Sequence, residues 1–475
     1  MKRLVLLAVI LILGLTMTFA QSTAWTDYKV IGTDSIQKLQ LRGLHYLSNG
    51  VVWVSGADVA SGGKQFALLS TDHGQTWARK DMFPSPGTSI LTCGIIAKDA
   101  NNAITALTTG QILRTTNGGA KWDTVTSYAD PTVGYFDAIR YIGQDSIIAL
   151  GDADAQGVYV GRSFDGGKTW TRSTNLPDSA KLDGYYASYT TYSNAIDVYN
   201  KHIWMTLYYG SVDPPAILKS TDAGNTWTLW KFSLPGTLSN DYYLRSISMK
   251  DENIGYGVIR QVTSSSTTAN YLVKTTDGGR TWSDTLTIET GIAQVDKKVT
   301  SARAIRGTNT VIAAGWAGAT SSTTASRLWI STDNGTTWKN MNAPVGALGS
   351  DLKNIWALSA NQFFAVGYKN IVKYAVAVGV DDRSPNTPTD FTLLQNYPNP
   401  FNPVTNISFS IPTTSNVQLD VYNVLGKHVA SLVNGMTTPG THTVQFNAAG
   451  LSSGVYFYTL RAGNGISTRS LLLLK

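Results

Sequence analysis

The chain has 475 residues, 43% of them hydrophobic and only 15% charged, with 44 Gly. That composition buries a sizeable core and suits many short strands joined by tight turns; with two Glu in all, Glu252 and Glu289, it is poor in helix formers. The formal net charge of +7 is spread without a Lys/Arg run, which argues against a nucleic-acid partner.

At the N-terminus, Lys2 and Arg3 precede an apolar run from Leu4 to Leu15, and Thr18-Phe19-Ala20 offers a small-residue cleavage site. Residues 1–20 therefore read as a signal peptide. The run is short for a span of about 20 residues, so no transmembrane segment is expected once it is removed. The single thiol, Cys93, cannot form an internal disulfide and sits in an apolar stretch, as a core residue would. Five scattered His, with no HExxH, phosphate loop or Ser/His/Asp order, suggest neither metal nor cofactor.

The next 350 residues repeat one frame. Ser70-Thr71-Asp72-His73-Gly74-Gln75-Thr76-Trp77 recurs at 115–122, 163–170, 220–227, 275–282 and 331–338. The key positions Asp72, Asn117, Asp165, Asp222, Asp277 and Asp333 are 45, 48, 57, 55 and 56 residues apart. Asp or Asn accepts backbone N–H groups a few residues on, and Gly supplies the positive φ of a tight hairpin turn. Trp77, Trp122, Trp170, Trp227, Trp282 and Trp338 then cover the hairpins as apolar lids. A calcium loop is the competing idea, but one carboxylate per turn is too few oxygen ligands.

A strand preceding each hairpin repeats as well, as in Leu44–Gly56, Ile139–Gly151, Ile247–Val258 and Ile305–Gly315. A seventh copy, Ile355 to Gly367, runs on to Tyr374 without a seventh hairpin, while an orphan strand near Trp25–Ile31 precedes the first copy. The N-terminal strand is expected to complete the last blade, pairing two edges that would otherwise be open. The fold expected is thus all-β, a seven-bladed β-propeller over residues 21–380; the alternative is six blades with a loose end.

The frame resembles the Asp-box (BNR) repeat of sialidase-like propellers, which implies four-stranded blades with structural boxes away from the ligand face. The texture also resembles Ycf48-like photosystem assembly factors, which implies a non-enzymatic propeller that holds protein partners on an Arg-rich face. Sialidase activity is not expected: the Phe/Tyr-Arg-Ile-Pro motif of that family is missing.

After a polar linker at 381–390, residues 391–475 alternate apolar and polar positions as a small Ig-like β-sandwich would. Tyr397-Pro398-Asn399-Pro400, the Gly454-Val455-Tyr456 strand and the terminal Lys475 resemble a type A C-terminal sorting domain of the type IX secretion system. The resemblance implies the type IX machinery as a partner, and a secreted or outer-membrane cell-surface destination reached through the periplasm.

For a ligand site, aligning strand one across the blades brings Arg42, Asp137, Arg245, Arg303 and Lys353 into one register, with Cys93 and Asn194 less surely aligned. These would ring the end of the channel opposite the boxes, with Tyr185 and Tyr242 beside them. Arg suits bidentate contacts to an anionic or carbohydrate-like ligand. The function expected is a binding propeller for protein or glycan rather than an enzyme; the alternative is a polysaccharide-acting glycoside hydrolase with an Asp pair.

Overall fold

The computed structural model describes residues 23–28, 39–58, 63–82, 91–127, 136–143, 145–154, 157–178, 186–187, 194–208, 214–234, 242–262, 268–283, 285–288, 297–317, 325–341, 352–367, 371–376, 391–396, 398–411, 415–437, 440–463 and 465–474. The chain divides into two compact units, Met1–Ala377 and Val378–Lys475. The described residues are built of strands, and no helix among them is long and apolar enough to cross a membrane.

In the first unit an antiparallel meander recurs. The first sheet is Leu39–Tyr46, Val52–Asp58, Lys64–Ser70 and Ala78–Asp81. The second is Thr92–Ala97, Ala103–Leu107, Gln111–Thr115 and Asp123–Ser127, and the third Phe136–Tyr141, Ile147–Asp154, Gly157–Ser163 and Thr171–Arg172. The fourth places Tyr186–Ala187 and Ile196–Tyr199 against His202–Tyr208, followed by Ala216–Ser220 and Thr228–Lys231. Tyr242–Met249, Gly255–Val262 and Thr268–Thr275 form a fifth set, with Leu286 bridging Leu272 where a fourth strand would lie. A single parallel pair, Asn270 with Lys298, joins this set to Lys297–Ala304, Val311–Ala317, Ala325–Ser331 and Lys339–Asn340. Last come Leu352–Ser359, Gln362–Gly367 and Ile371–Val376.

That last sheet takes its fourth strand from the other end of the unit. Thr23–Tyr28 pairs antiparallel with Ile371–Val376, from Thr23 opposite Val376 to Tyr28 opposite Ile371. The apolar core follows the same circuit. Each cluster lies between consecutive sheets, such as Trp53 and Ala67 with Ile95 and Leu113, or Leu150 and Val160 with Ile203 and Met205. Phe364, Val366 and Ile371 of the last sheet pack on Leu39, Leu44 and Phe66 of the first. Burial on both faces explains why the inner strands read as almost unbroken apolar runs.

The six hairpins share one bonding scheme. The Ser/Thr Oγ donates to the Asp or Asn Oδ1, as Ser220 does to Asp222, and accepts from the Gly N–H four residues on. The Asp Oδ1 accepts the N–H of the residue four later, Thr226 for Asp222 and Lys121 for Asn117. Two consecutive residues then take positive φ, Ala223 at 60° and Gly224 at 83°; the second is Gly in all six hairpins. The first of the pair donates its N–H to the strand-one-to-two turn of its own sheet: His73 to Gly50, Gly118 to Asn101, Gly166 to Asp145, Ala223 to Lys201, Gly278 to Asn253 and Asn334 to Asn309. The hairpins and those turns therefore share one end of the ring. In four sheets a cation reaches from strand three to the next hairpin's backbone oxygen: Arg114 to Gly166, Arg162 to Ala223, Lys219 to Gly278 and Lys274 to Asn334. These basic residues are ties between neighbouring sheets.

Hydrogen bonds from Thr226, side chain first and then backbone, hold Asp222 down to about 2; Thr337 does the same for Asp333. For Asp72 slight burial pushes up, but the bonds from Thr76 and Ser70 outweigh it and the pKa falls to about 2. A carboxylate depressed on folding contributes stability above its unfolded value near 3.8 and loses it as pH falls through the folded value. Unfolding followed by circular dichroism should therefore show stability declining from about pH 4 towards pH 2. Asp222→Asn, which installs the residue found at Asn117, should shallow that decline; an unchanged acid limb would separate the turns from it.

The second unit has two antiparallel sheets. Thr392–Leu393, Val404–Ile411 and Gly440–Asn447 form one; His428–Thr437, Ser415–Asn423, Gly454–Ala462 and Gly465–Leu473, in that spatial order, form the other. They share a core that includes Phe401, Phe409, Phe446, Leu419, Tyr458 and Leu460. The Pro-Asn-Pro segment is tied to this core: Asn396 Nδ2 donates to the Pro398 carbonyl and to Thr405 Oγ1, and Asn399 Oδ1 accepts the Leu472 N–H. The Asn399–Pro400 bond is cis. Tyr456 donates to the Ser452 carbonyl, and Gly454 opens its strand at φ 149°. Tyr397 and Lys475 lie outside the described residues, as does the signal segment.

Candidate functional site

The innermost strands of six sheets each bulge near their start, where an extra residue sits against the partner strand. The register slips at Arg42, Cys93, Asp137, Arg245, Thr300 and Lys353. A bulge re-aims the side chains that follow it. Four of the five residues expected at the rim, Arg42, Asp137, Arg245 and Lys353, occupy bulges and are buried. Arg303 does not belong to that register. Thr300 takes the bulge in its strand, so the aligned apolar residue is Ala302 and not Ile305. Tyr242 is buried between sheets, where its hydroxyl accepts the Leu234 N–H at 2.8 Å; Tyr185 is outside the described residues.

Asp137 is no general acid facing solvent. Burial first, then the neighbouring Asp152 carboxylate, raise its pKa well above the usual range, and the two side chains hydrogen-bond to each other. Carboxylates in contact are closer than the roughly 5–5.5 Å of a retaining glycosidase pair or the 6.5–9.5 Å of an inverting one. The Cys93 thiol is buried, contacts the Leu91 carbonyl and is pushed up by burial and then by Asp137.

The bulge register reveals a second ring, three residues further along: His45, Ile96, Arg140, Ser248, Arg303 and Trp356, with Asp197 the counterpart three past Asn194 in the fourth sheet. Contacts between non-consecutive sheets place this ring on the central axis. Arg303 Nη1 lies 3.8 Å from Asp197 Oδ1, and the Arg140 and Arg303 guanidiniums lie 5.5 and 4.6 Å from the Trp356 ring centroid. Three members latch the next strand: His45 Nδ1 accepts the Ala97 N–H, Asp197 Oδ2 the Met249 N–H and Ser248 Oγ the Ala304 N–H. These inner edges have no further strand to pair with, so side chains satisfy them.

The arginines are not among those latches. Arg140, Arg303 and Arg306 line a cavity of about 190 Å³ with His45, Tyr141, Asp197 and Trp356. Asp197 is the one carboxylate among those lining residues, already bound by Met249 N–H and by Arg306 Nη2 at 3.0 Å. Arg140 donates to the Ile139 carbonyl and to Asn194 Oδ1, while its buried Nε has no hydrogen-bond partner. Burial, then Arg303, bring Arg140 down to about 9, and burial lowers Arg303 too. Burial, then Arg140 and Arg303, hold His45 neutral down to about 3. Among the described residues the cavity wall thus carries three guanidiniums against one carboxylate. Buried charge of one sign is costly until an opposite charge meets it.

This cavity opens at the end of the ring that carries the hairpins, since Arg306 lies in the Ile305–Thr310 turn and the neighbouring Asn309 carbonyl accepts from the hairpin residue Asn334. The sequence expectation put the ligand rim at the other end. A second cavity, of about 420 Å³, lies on the same side between the second and third sheets. Tyr141 lines both. No group of three or more His, Cys, Asp or Glu side chains among the described residues is arranged to hold a metal.

Residues 395–474 match the family model of the secretion system C-terminal sorting domain. The tail is such a domain, of the type IX kind, and it implies secretion or attachment at the cell surface. The fold of the first unit is that of YCF48 from Cyanidioschyzon merolae, with a TM-score of 0.51 at 14% identity over 74% of this chain and 99% of that one. The chain is therefore an exported β-propeller protein. In sequence it is also similar to a xyloglucanase of Paenibacillus sp, 28% identical over 194 residues; the match spans 34% of this chain and only 18% of that relative. A GH74 xyloglucanase from Xanthomonas campestris superposes with a TM-score of 0.49 at 12% identity, covering 88% of this chain and 63% of that one.

Proposed function

We propose that residues 21–380 form a seven-bladed propeller, that 381–390 link it to an immunoglobulin-like sorting sandwich at 391–475, and that export runs through the periplasm. The ring is a binding module, and its ligand, a protein or a glycan, presents an anionic group to the central cavity. The observation that carries this reading is the surplus of guanidinium charge at Arg140, Arg303 and Arg306, with Trp356 as an apolar wall. Arg306, its side chain 39% exposed, is the one placed to meet a ligand first. Carbohydrate hydrolysis is the second reading, favoured by the Paenibacillus relative's name. It needs a carboxyl held protonated opposite a carboxylate. In the outer cavity the bonds from Thr169 hold Asp165 below the usual range; at Asp99 partial burial pushes up but bonds from Asn102 and Asn101 prevail. Neither is a proton donor at neutral pH.

An array of acidic and neutral glycans and of acidic peptides, read beside a reducing-end assay, separates the two readings. Binding of an acidic probe without product, weakened about tenfold or more by Arg306→Ala, supports the first; that is about 1.4 kcal/mol. Turnover abolished by one Asp→Asn change, or acidic binding indifferent to Arg306→Ala, overturns it.

A further inference from the structure

The six hairpins act as internal controls for one another. At the position after the Ser/Thr, five of them carry Thr: Thr71, Thr116, Thr221, Thr276 and Thr332. The third carries Phe164, and its side chain is 59% exposed. The bonding scheme of the turn is the same in that hairpin as in the others: Ser163 donates to Asp165, and Thr169 N–H donates to Asp165. Nothing in the turn calls for an aromatic there, and exposing one forgoes the burial that would normally hold it.

Phe164 lines the 420 Å³ cavity between the second and third sheets. Arg162 lies over its ring at 4.7 Å, and Arg162 is itself held from the fourth-sheet side by the Ala223 carbonyl and Asn225 Oδ1. The rest of the cavity comes largely from the second-sheet side, with Lys98, Asn102 and Arg114, and from Tyr141 and Asp145 of the third. The ring is therefore braced on one side and bounds the cavity on the other.

The polar lining is balanced: Lys98, Arg114 and Lys168 face Asp99, Asp145 and Asp165. This differs from the central cavity, and it favours a ligand without net charge. Lys98 and Asp145 pair at 2.8 Å while both remain about half exposed. A surface pair of that kind contributes little, so hydroxyl groups that both donate and accept can displace it at small cost. An aromatic platform, flanking donors and acceptors, and a volume within the roughly 300–1,000 Å³ of ligand sites together describe a sugar site.

We propose that this cavity binds a neutral, β-1,4-linked pyranose chain, whose equatorial linkages leave the ring faces flat and open so that one sugar stacks on Phe164, with its hydroxyls shared between Asp145, Lys98 and Asn102. The site is separate from the central arginines and does not rest on their ligand. It also lies on the hairpin side, the side that the family resemblance marks as structural.

The test is calorimetric titration of the mature full chain with cellohexaose, xylohexaose and mannohexaose. Phe164→Thr installs the residue of the other five hairpins and should leave the melting temperature unchanged. We expect at least one hexaose to bind, Phe164→Thr to weaken it tenfold or more, and Phe164→Trp to retain it. Arg306→Ala should leave it unaffected, which keeps this site distinguishable from the central one. Absence of binding by all three hexaoses, or equal affinity in Phe164→Thr, would overturn the proposal.

Discussion

Deleting residues 391–475 should abolish export while leaving a folded propeller in the periplasm. The tail is a compact unit with its own core of Phe401, Phe409, Phe446, Leu419, Tyr458 and Leu460. Its motif residues serve that core: Asn399 clips the last strand at Leu472, and Phe401 exchanges backbone hydrogen bonds with Leu472 and Leu474. A milder version follows. Asn399→Ala removes one acceptor from an exposed backbone N–H and should cost about 0.5–1.5 kcal/mol of tail stability. It should lower secreted yield in proportion to unfolded tail. Quantitative blotting of periplasm, cell surface and medium reads both effects; normal surface or medium levels of the deletion variant would refute the sorting role.

The second large effect concerns ring closure. Removing residues 23–28 leaves Ile371–Val376 as an open edge and the last sheet one strand short. An unpaired edge exposes a row of N–H and C=O groups and invites pairing with another chain. The strand left open carries Ile371 and Val372, which belong to the two apolar clusters on either side of the last sheet. The expected loss is several kcal/mol, a large share of the roughly 5–15 kcal/mol that holds a typical domain together. Denaturant unfolding and light scattering would register it as a lower midpoint and new oligomers. A midpoint unchanged from the parent would mean that the pairing contributes nothing to the ring.

The hairpins were legible in the sequence because their chemistry is local. Ser220, Asp222, Gly224 and Thr226 satisfy one another within seven residues, so spacing alone discloses the turn, and its recurrence discloses the sheets. The closing strand was legible for a related reason: a repeat that lacks its last strand, and a strand that lacks its repeat, are both visible in one dimension. The tail motif was as plain, since its residues bond within the same small core.

The central cavity was not legible, and a bulge is the reason. An extra residue in six of the inner strands shifts which side chains reach the axis, and its position follows from pairing with a neighbour, which periodicity does not encode. The reading by aligned apolar residues found Arg42, Asp137, Arg245 and Lys353, which the sheets bury, and reached Arg303 only through a register three residues out. His45, Arg140, Asp197, Arg306 and Trp356 went unnoticed because their meeting depends on strands up to some three hundred residues apart. Thus the sequence by itself determined the sheets, the turns, the closure and the export tail, all set by local chemistry or counting. Only the tertiary structure decided which cations tie neighbouring sheets, which carboxyls meet, and where Arg140, Arg303 and Arg306 come together. Those depend on burial and on contact across the axis.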